Sequence, residues 1–159
     1  MKAFVTADNH WGHQGVCNFL RSDGTKLRPW DKNYEMDKAM IELWNDTVAP
    51  NDRVYCLGDW AIARKAIRIA ELLHGRKVLI KGNHDIFKLK DYLPFFDDIR
   101  AYKIMQNKAG KMIVMSHIPV HPFSLGERFA FNVHGHLHSN RVLLPNAELD
   151  PRYICVSVE

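Results

Sequence analysis

The chain has 159 residues, of which 47% are hydrophobic and 25% charged, with a formal net charge of +4. That length suits one domain with a sizeable buried core, and the balance excludes a disordered or fibrous polymer. No run approaches the roughly 18 consecutive apolar residues of a membrane-crossing helix.

Lys2–Ala7 reads as a buried strand. Because Met1-Lys2-Ala3-Phe4-Val5 leads straight into a block of metal-ligand residue types that begins at Asp8, no removable signal segment is expected. Tyr34–Thr47 sets Met36, Ala39, Met40, Leu43 and Trp44 at helical spacing until Pro50-Asn51-Asp52 breaks the pattern. Arg53–Leu57 is expected as a strand, Ile62–Leu73 as an amphipathic helix, Lys77–Ile80 as a strand and Phe87–Tyr92 as a short helix or turn. Ile99–Gln106 and Met112–Met115 should pair as a hairpin across Asn107-Lys108-Ala109-Gly110. Phe129–Val133 and Tyr153–Val158 supply the last strands. A βαβαβ alternation that ends in consecutive strands predicts an α/β fold, a single domain over residues 1–159 with two sheets flanked by helices. Repeats, linkers and low-complexity stretches are absent from the sequence.

Three unpatterned cysteines, Cys17, Cys56 and Cys155, fit reduced thiols in a cytoplasmic protein rather than a disulfide framework. A sequence pI near 9.0 favours a polyanionic substrate. The basic residues are scattered, however. Arg64, Lys65 and Arg68 fall on one expected helix, and Arg100, Lys103, Lys108 and Lys111 flank the hairpin. A solvated helix face and polar hairpin edges explain them, so nucleic acid as a partner is not established by charge.

Five short blocks carry the chemistry: Asp8-Asn9-His10, Gly58-Asp59, Gly82-Asn83-His84-Asp85, Ser116-His117 and Gly135-His136-Leu137-His138. Most follow an apolar, β-branched run. Four of them have an ordinary reading alone: a helix cap with a surface histidine for the first, a turn for Gly58-Asp59, a loop tolerant of positive φ for Gly82-Asn83-His84-Asp85, and a half-exposed strand end for the last. In series they describe a metal centre gathered from all over a fold. If they converge, Asp8 and Asp59 repel each other and lose hydration unless a proton or a cation neutralises them. Imidazole, carboxylate and amide oxygen suit Mn, Fe, Ni, Co or Zn better than Ca or Mg. The lack of cysteine in the blocks argues against a structural zinc site.

This ordered set, D-x-H, G-D, G-N-H-D, H and G-H-x-H between Phe4 and about His138, resembles the calcineurin-like metallophosphoesterase family. Thr6-Ala7-Asp8-Asn9-His10-Trp11-Gly12-His13 is similar to its small bacterial and phage branch. The resemblance implies an α/β two-sheet β-sandwich flanked by helices. It also implies two divalent transition-metal ions, Mn²⁺ foremost, with Fe, Ni, Co or Zn as alternatives. Asp8, His10 and His138 would ligate the first ion, Asn83, His117 and His136 the second, and Asp59 both. Two such ions ~3.5–4 Å apart share a hydroxide that attacks phosphorus. His84 would donate a proton to the leaving oxygen, with Asp85 orienting it. Members of the family commonly carry Asn before Val-Ser-Val-Glu, where this chain has Cys155, a departure that bears on any contact made by that amide.

His13 and Arg28 are candidate phosphate contacts, each with an ordinary alternative as a supporting histidine or a solvated loop arginine. Asn45 is expected to hydrogen-bond a metal ligand, and His134 to pack beside the site. His74 and His121 receive no role. Only Cys17–Asn33 and Pro119–Arg128 are long enough to wall the site. An uncovered metal pair points to phosphodiester hydrolysis, with a nuclease or a phosphomonoesterase as alternatives. A non-catalytic interaction scaffold fits less well, since such members usually lose a ligand or the histidine.

Overall fold

Residues in the middle of the first sheet alternate between two apolar layers, and this period of two sets the architecture. The computed structural model describes residues 1–159. Strands β1 (Ala3–Thr6), β2 (Arg53–Cys56), β3 (Arg76–Ile80) and β4 (Asp98–Arg100) form an all-parallel sheet in the order β1-β2-β3-β4. The second sheet has the order β5-β6-β7-β8, from Tyr102–Gln106, Met112–Ser116, Phe129–His134 and Tyr153–Cys155. Its β5 and β6 are antiparallel, whereas β6, β7 and β8 run parallel.

Tyr55, Leu57, Val78 and Ile80 from the first sheet meet Met115, Met105, Ile113 and Val133 from the second, so the two sheets share a core. The alternate residues Val54, Cys56 and Leu79 face the other way, against Trp44, Trp60, Ile67, Tyr92 and Phe96. Fully burying one such side chain contributes about 1.5–3 kcal/mol. Helix α1 (Asn33–Thr47), a 3₁₀ segment (Arg64–Leu72) and α2 (Leu89–Tyr92) carry the chain between the parallel strands. Helix α3 (Pro122–Leu125) buries Leu125 with Val114 and Tyr153 of the second sheet. No helix is long and apolar enough to cross a membrane.

Five expectations change. Ile99–Gln106 is not one hairpin strand, because the chain leaves the first sheet at Arg100 and enters the second at Tyr102. The single residue Ala101 between them joins the layers. The Asn107–Gly110 turn itself forms, with Asn107 Oδ1 accepting from the amides of Ala109 and Lys111. Ile62–Leu73 is a 3₁₀ segment over Arg64–Leu72, where Ala66, Ile67 and Ala70 are buried; packing holds it, since Ala63 offers no side-chain cap. Strand β1 is an edge strand with Val5 exposed rather than a buried one. In α1, Leu43 faces solvent while Met36 and Trp44 are buried. Tyr153–Val158 is strand only to Cys155, after which Ser157 bridges to Ala7 in parallel and couples the sheets.

Candidate metal centre

That bridge makes β1, β2, β3, β6, β7 and β8 run the same way, so their carboxyl ends meet at one edge. Crevices at strand carboxyl ends are where open α/β sheets bind ligands. Asp8 follows β1, Asp59 follows β2, Asn83 follows β3, His117 follows β6, and His136 and His138 follow β7. Pairing continues past the strand ends. Asp8 N donates to Gly58 O at 3.0 Å, His10 N to Asp59 O at 3.0 Å and Gly135 N to His117 O at 3.0 Å.

The loops then bend sharply. Asp8, His10, Asp59, His136 and His138 have left-handed φ of 57°, 50°, 52°, 69° and 52°. The only other non-glycine residue there is Ala147, so the strain is concentrated at the cluster. Each such residue costs on the order of 1–3 kcal/mol and persists only where its surroundings over-determine it. Close approach adds a second constraint. A Cβ on Gly82 would lie 2.2 Å from Asp59 Oδ1, and one on Gly135 would lie 2.6 Å from Asp8 Oδ2.

One ligand atom from each of Asp8, His10 and His138 lies within 4.8 Å of the others, and the same holds for Asp8, Asp59 and His117. The two groups share Asp8. His117 Nδ1 meets the Leu57 carbonyl at 2.7 Å, and its Nε2 lies 2.9 Å from Asn83 Oδ1 and 3.4 Å from Asp59 Oδ2. With Nδ1–H donating to Leu57, the neutral ring turns a lone pair toward two oxygen acceptors. Those atoms attract only through a shared proton or cation. His10 is buried and neither ring nitrogen has a partner, although Nε2 is 3.8 Å from Asp59 Oδ2. An imidazole orphaned among carboxylates has the chemistry of a ligand to a divalent ion, so the donor set fits such an ion. The His136 ring stands 5.2 Å from that of His117, and its backbone N–H donates to Asp8 Oδ2 at 2.9 Å.

Burial and neighbouring charges shift the ionisation of these groups in different directions. Burial raises Asp8, despite the Ser157 hydroxyl and neighbouring imidazoles. Burial also opposes ionisation of Asp59, but hydrogen bonds from His117 and the His84 amide outweigh it and hold that carboxyl below its ordinary range. Burial would lower His117, yet Asp59 raises it overall. His10 is lowered, mainly by burial.

His84 is exposed at the mouth, its ring 5.7 Å from that of His10 and its backbone N–H on Asp59 Oδ1 at 2.9 Å. His13 is half-buried at the same rim, 5.6 Å from the His10 ring and edge-on to Phe19 at 6.0 Å. His134 packs on Tyr153 with Nδ1 on its neighbour's carbonyl and belongs to neither ligand group.

Three expected roles are not what the geometry contains. Asp85 does not orient His84. Its buried carboxylate accepts from the amides of Asp59, Trp60 and Gly82 at 2.9, 3.0 and 2.8 Å, which lashes two ligand loops together. Arg28 is not open to a phosphate. It is 2% exposed and donates to the carbonyls of Asp8 and Asn9 and to Glu159. Asn45 touches no ligand but clips the Leu72 carbonyl and the His74 amide to α1.

The sequence reading missed Ser157 and Glu159. Ser157 Oγ donates to Asp8 Oδ2 at 2.6 Å, and Glu159 Oε1 meets His138 Nδ1 at 3.0 Å. A signal existed, since Cys155, Ser157 and Glu159 alternate with apolar residues and so share one side of an extended segment. Cys155 Sγ reaches the His138 carbonyl at 3.4 Å, which gives that side chain a contact at the same edge. An apolar cavity of about 330 Å³ between β1 and α1, lined in part by Phe4, Trp30 and Trp44, contains none of the candidate ligands.

No family model matches the chain. A Methanocaldococcus jannaschii protein described as uncharacterized, MJ1445, is 30% identical over 145 residues, covering 89% of this chain and 72% of its own length. The chain belongs to the family of that protein. The crystal structure of AQ665 from Aquifex aeolicus, described as a protein of unknown function, matches with a TM-score of 0.64 at 26% identity. That match covers 98% of this chain and 88% of the Aquifex chain.

Proposed function

We propose that this family member is a binuclear metal-dependent phosphoesterase, and that its two sheets and helices form the calcineurin-like metallophosphoesterase sandwich. The observation that carries the reading is a pair of three-residue ligand groups sharing Asp8, assembled from segments as far apart as Asp8 and His138. A structural site would need one such group. In this reading Asp8, His10 and His138 hold one divalent ion, and Asn83, His117 and His136 hold the other. Asp59 joins the two, with Asp8 near enough to assist.

When bound, the ions, Mn²⁺ foremost, neutralise the crowded carboxylates, polarise the phosphoryl oxygens and supply a water nucleophile at neutral pH. The chain does the rest. Leu57 and Glu159 keep the protons of His117 and His138 on Nδ1, leaving each Nε2 lone pair for the site. His84 belongs to neither ligand group and holds a proton at the ester's leaving oxygen. Its loop is anchored by the hydrogen bond that the His84 backbone N–H donates to Asp59 Oδ1. His13 contacts a non-bridging phosphate oxygen from the rim. With Arg28 internal, that arginine does not clamp a dianionic monoester, which favours phosphodiesters.

The test loads metal-free protein with Mn²⁺ and measures metal content together with hydrolysis of bis(p-nitrophenyl) phosphate. Two ions per chain with turnover that chelator abolishes are expected. Two bound ions without turnover of any phosphate ester would overturn the enzyme reading, and saturation at one ion would overturn the binuclear one.

A further inference from the structure

The Glu159 side chain is fully buried, and its Oε1 alone serves three donors. His138 Nδ1 lies at 3.0 Å, Arg28 Nε at 3.0 Å and Arg28 Nη2 at 2.7 Å. Arg28 is itself buried and donates Nη1 to the Asn9 carbonyl at 2.9 Å and Nη2 to the Asp8 carbonyl. One ion pair therefore grips both segments that carry the Asp8, His10 and His138 group. It touches the first through its backbone and the second through an imidazole ring.

Such a pair is expensive. Each ion loses several kcal/mol of hydration on burial, and an apolar pair of like volume often packs as stably. The arrangement gains something that apolar residues would not supply. A carboxylate on Nδ1 fixes the ring's tautomer and raises the basicity of Nε2. Asp8 and His10 also sit in left-handed backbone, which relaxes unless held, and the Arg28 bonds to the carbonyls of Asp8 and Asn9 are suited to holding it. The His117 imidazole receives no contact from this pair, which reaches the second group only through the backbone of the shared Asp8; a backbone carbonyl orients that ring instead.

We propose that Arg28 and Glu159 form a positioning pair dedicated to the ion held by Asp8, His10 and His138. Glu159 sets the proton of His138 on Nδ1, and Arg28 sets the curvature of the Asp8–His10 loop. Through Glu159 the pair thereby tunes affinity at the His138 ion position, and it reaches the other position only through the shared Asp8. This inference rests on the ligand assignments of the proposed function.

The experiment titrates Mn²⁺ into metal-free full-length chain by equilibrium dialysis, comparing the wild type with Glu159→Gln and, as the lost-ligand reference, His138→Ala. A companion ¹⁵N NMR measurement reads the His138 tautomer in the metal-free wild type, above the histidine titration range. In Glu159→Gln one ion should bind about 10–100-fold more weakly while the other is unchanged. The wild-type ring should carry its proton on Nδ1. Unchanged affinity for both ions, equal weakening of both, or a proton on Nε2 would overturn the positioning role. If Glu159→Gln does not fold, the tautomer in the wild type decides. A wild type that takes up no Mn²⁺ would instead defeat the proposed function, and the tautomer would still report whether Glu159 sets the ring.

Discussion

Asp85 is bonded to the backbone of Asp59, 26 residues away, rather than to the imidazole of its neighbour His84. Its two oxygens collect the amides of Asp59, Trp60 and Gly82, and burial raises its pKa despite those bonds. The loops bearing Asp59 and Asn83 are thus tied at one buried point. Asp85→Ala would leave three donors without a protein acceptor, at about 1–3 kcal/mol for each that stays dry. We expect lower thermal stability and loss of metal together with activity. Metal content at the wild-type level alongside reduced turnover would instead restore a role through His84.

His84→Ala should behave in the opposite way. The ring lies outside both ligand groups, so metal content stays near that of the wild type while turnover falls by ~10²–10⁴-fold. Elemental analysis and single-preparation kinetics on the diester check this. Loss of metal as complete as in Asp59→Ala would make His84 a ligand.

Arg28→Ala separates a substrate clamp from an internal tie. Removing one partner of a buried ion pair costs about 3–5 kcal/mol, because Glu159 is left uncompensated. We therefore expect a large drop in denaturation midpoint. In whatever fraction stays folded, the ratio of kcat/KM for bis(p-nitrophenyl) phosphate to that for p-nitrophenyl phosphate should still favour the diester. A stable variant with a selectively raised KM for the monoester would return Arg28 to the substrate.

Acid should destabilise the metal-free protein partly through His10. Burial lowers the folded ring's pKa, so between that value and about 6.5 the unfolded chain binds a proton that the folded chain does not. Its contribution is present above about 6.5 and is lost as pH falls below it. His117 and His138 are raised and work with the opposite sign, adding stability at low pH that disappears as pH rises through their folded values. His10→Gln should therefore give a shallower fall in Tm between about pH 7 and about pH 5 than the wild type, with chelator present. An equal slope would show that His10 is not the buried neutral group the geometry makes it.

A Cβ on Gly135 would press against both Ala7 and the Asp8 carboxylate, at 2.6 Å each. Backbone and a strained loop bound that space, so the neighbours cannot yield freely. Gly135→Ala should cost about 1–3 kcal/mol, as over-packing does, and displace Asp8 from both ligand groups. Reduced Mn²⁺ uptake with near-native circular dichroism is the expected pattern, and unchanged uptake would show that Asp8 tolerates the shift.

How much of this was legible in the chain depends on the range of the interaction. Strands β2 and β3, helix α1 and the Asn107–Gly110 turn are written in local periodicity and turn chemistry, so they appear close to where the sequence places them. The five ligand blocks are legible for the same reason: each lies a few residues past an apolar run, and side-chain type alone marks it. What local pattern cannot express is which sheet a strand joins. Ile99 and Ile104 look alike in sequence, yet they belong to different sheets because Ala101 lies between two surfaces that exist only after collapse.

The sequence by itself determined the candidate donor set, because aspartate, asparagine and histidine at strand ends offer the same ligand atoms wherever they are placed. Tertiary structure alone decided what holds those donors still. Arg28, 131 residues from Glu159 in sequence, turned inward, Asp85 turned from a histidine to three amides, and Ser157 came to rest on Asp8. A charged side chain has no preferred partner along an unfolded chain; desolvation forces the choice when the sheets close. A buried donor or acceptor must then bond to whatever lies within reach, or cost the fold its hydration energy.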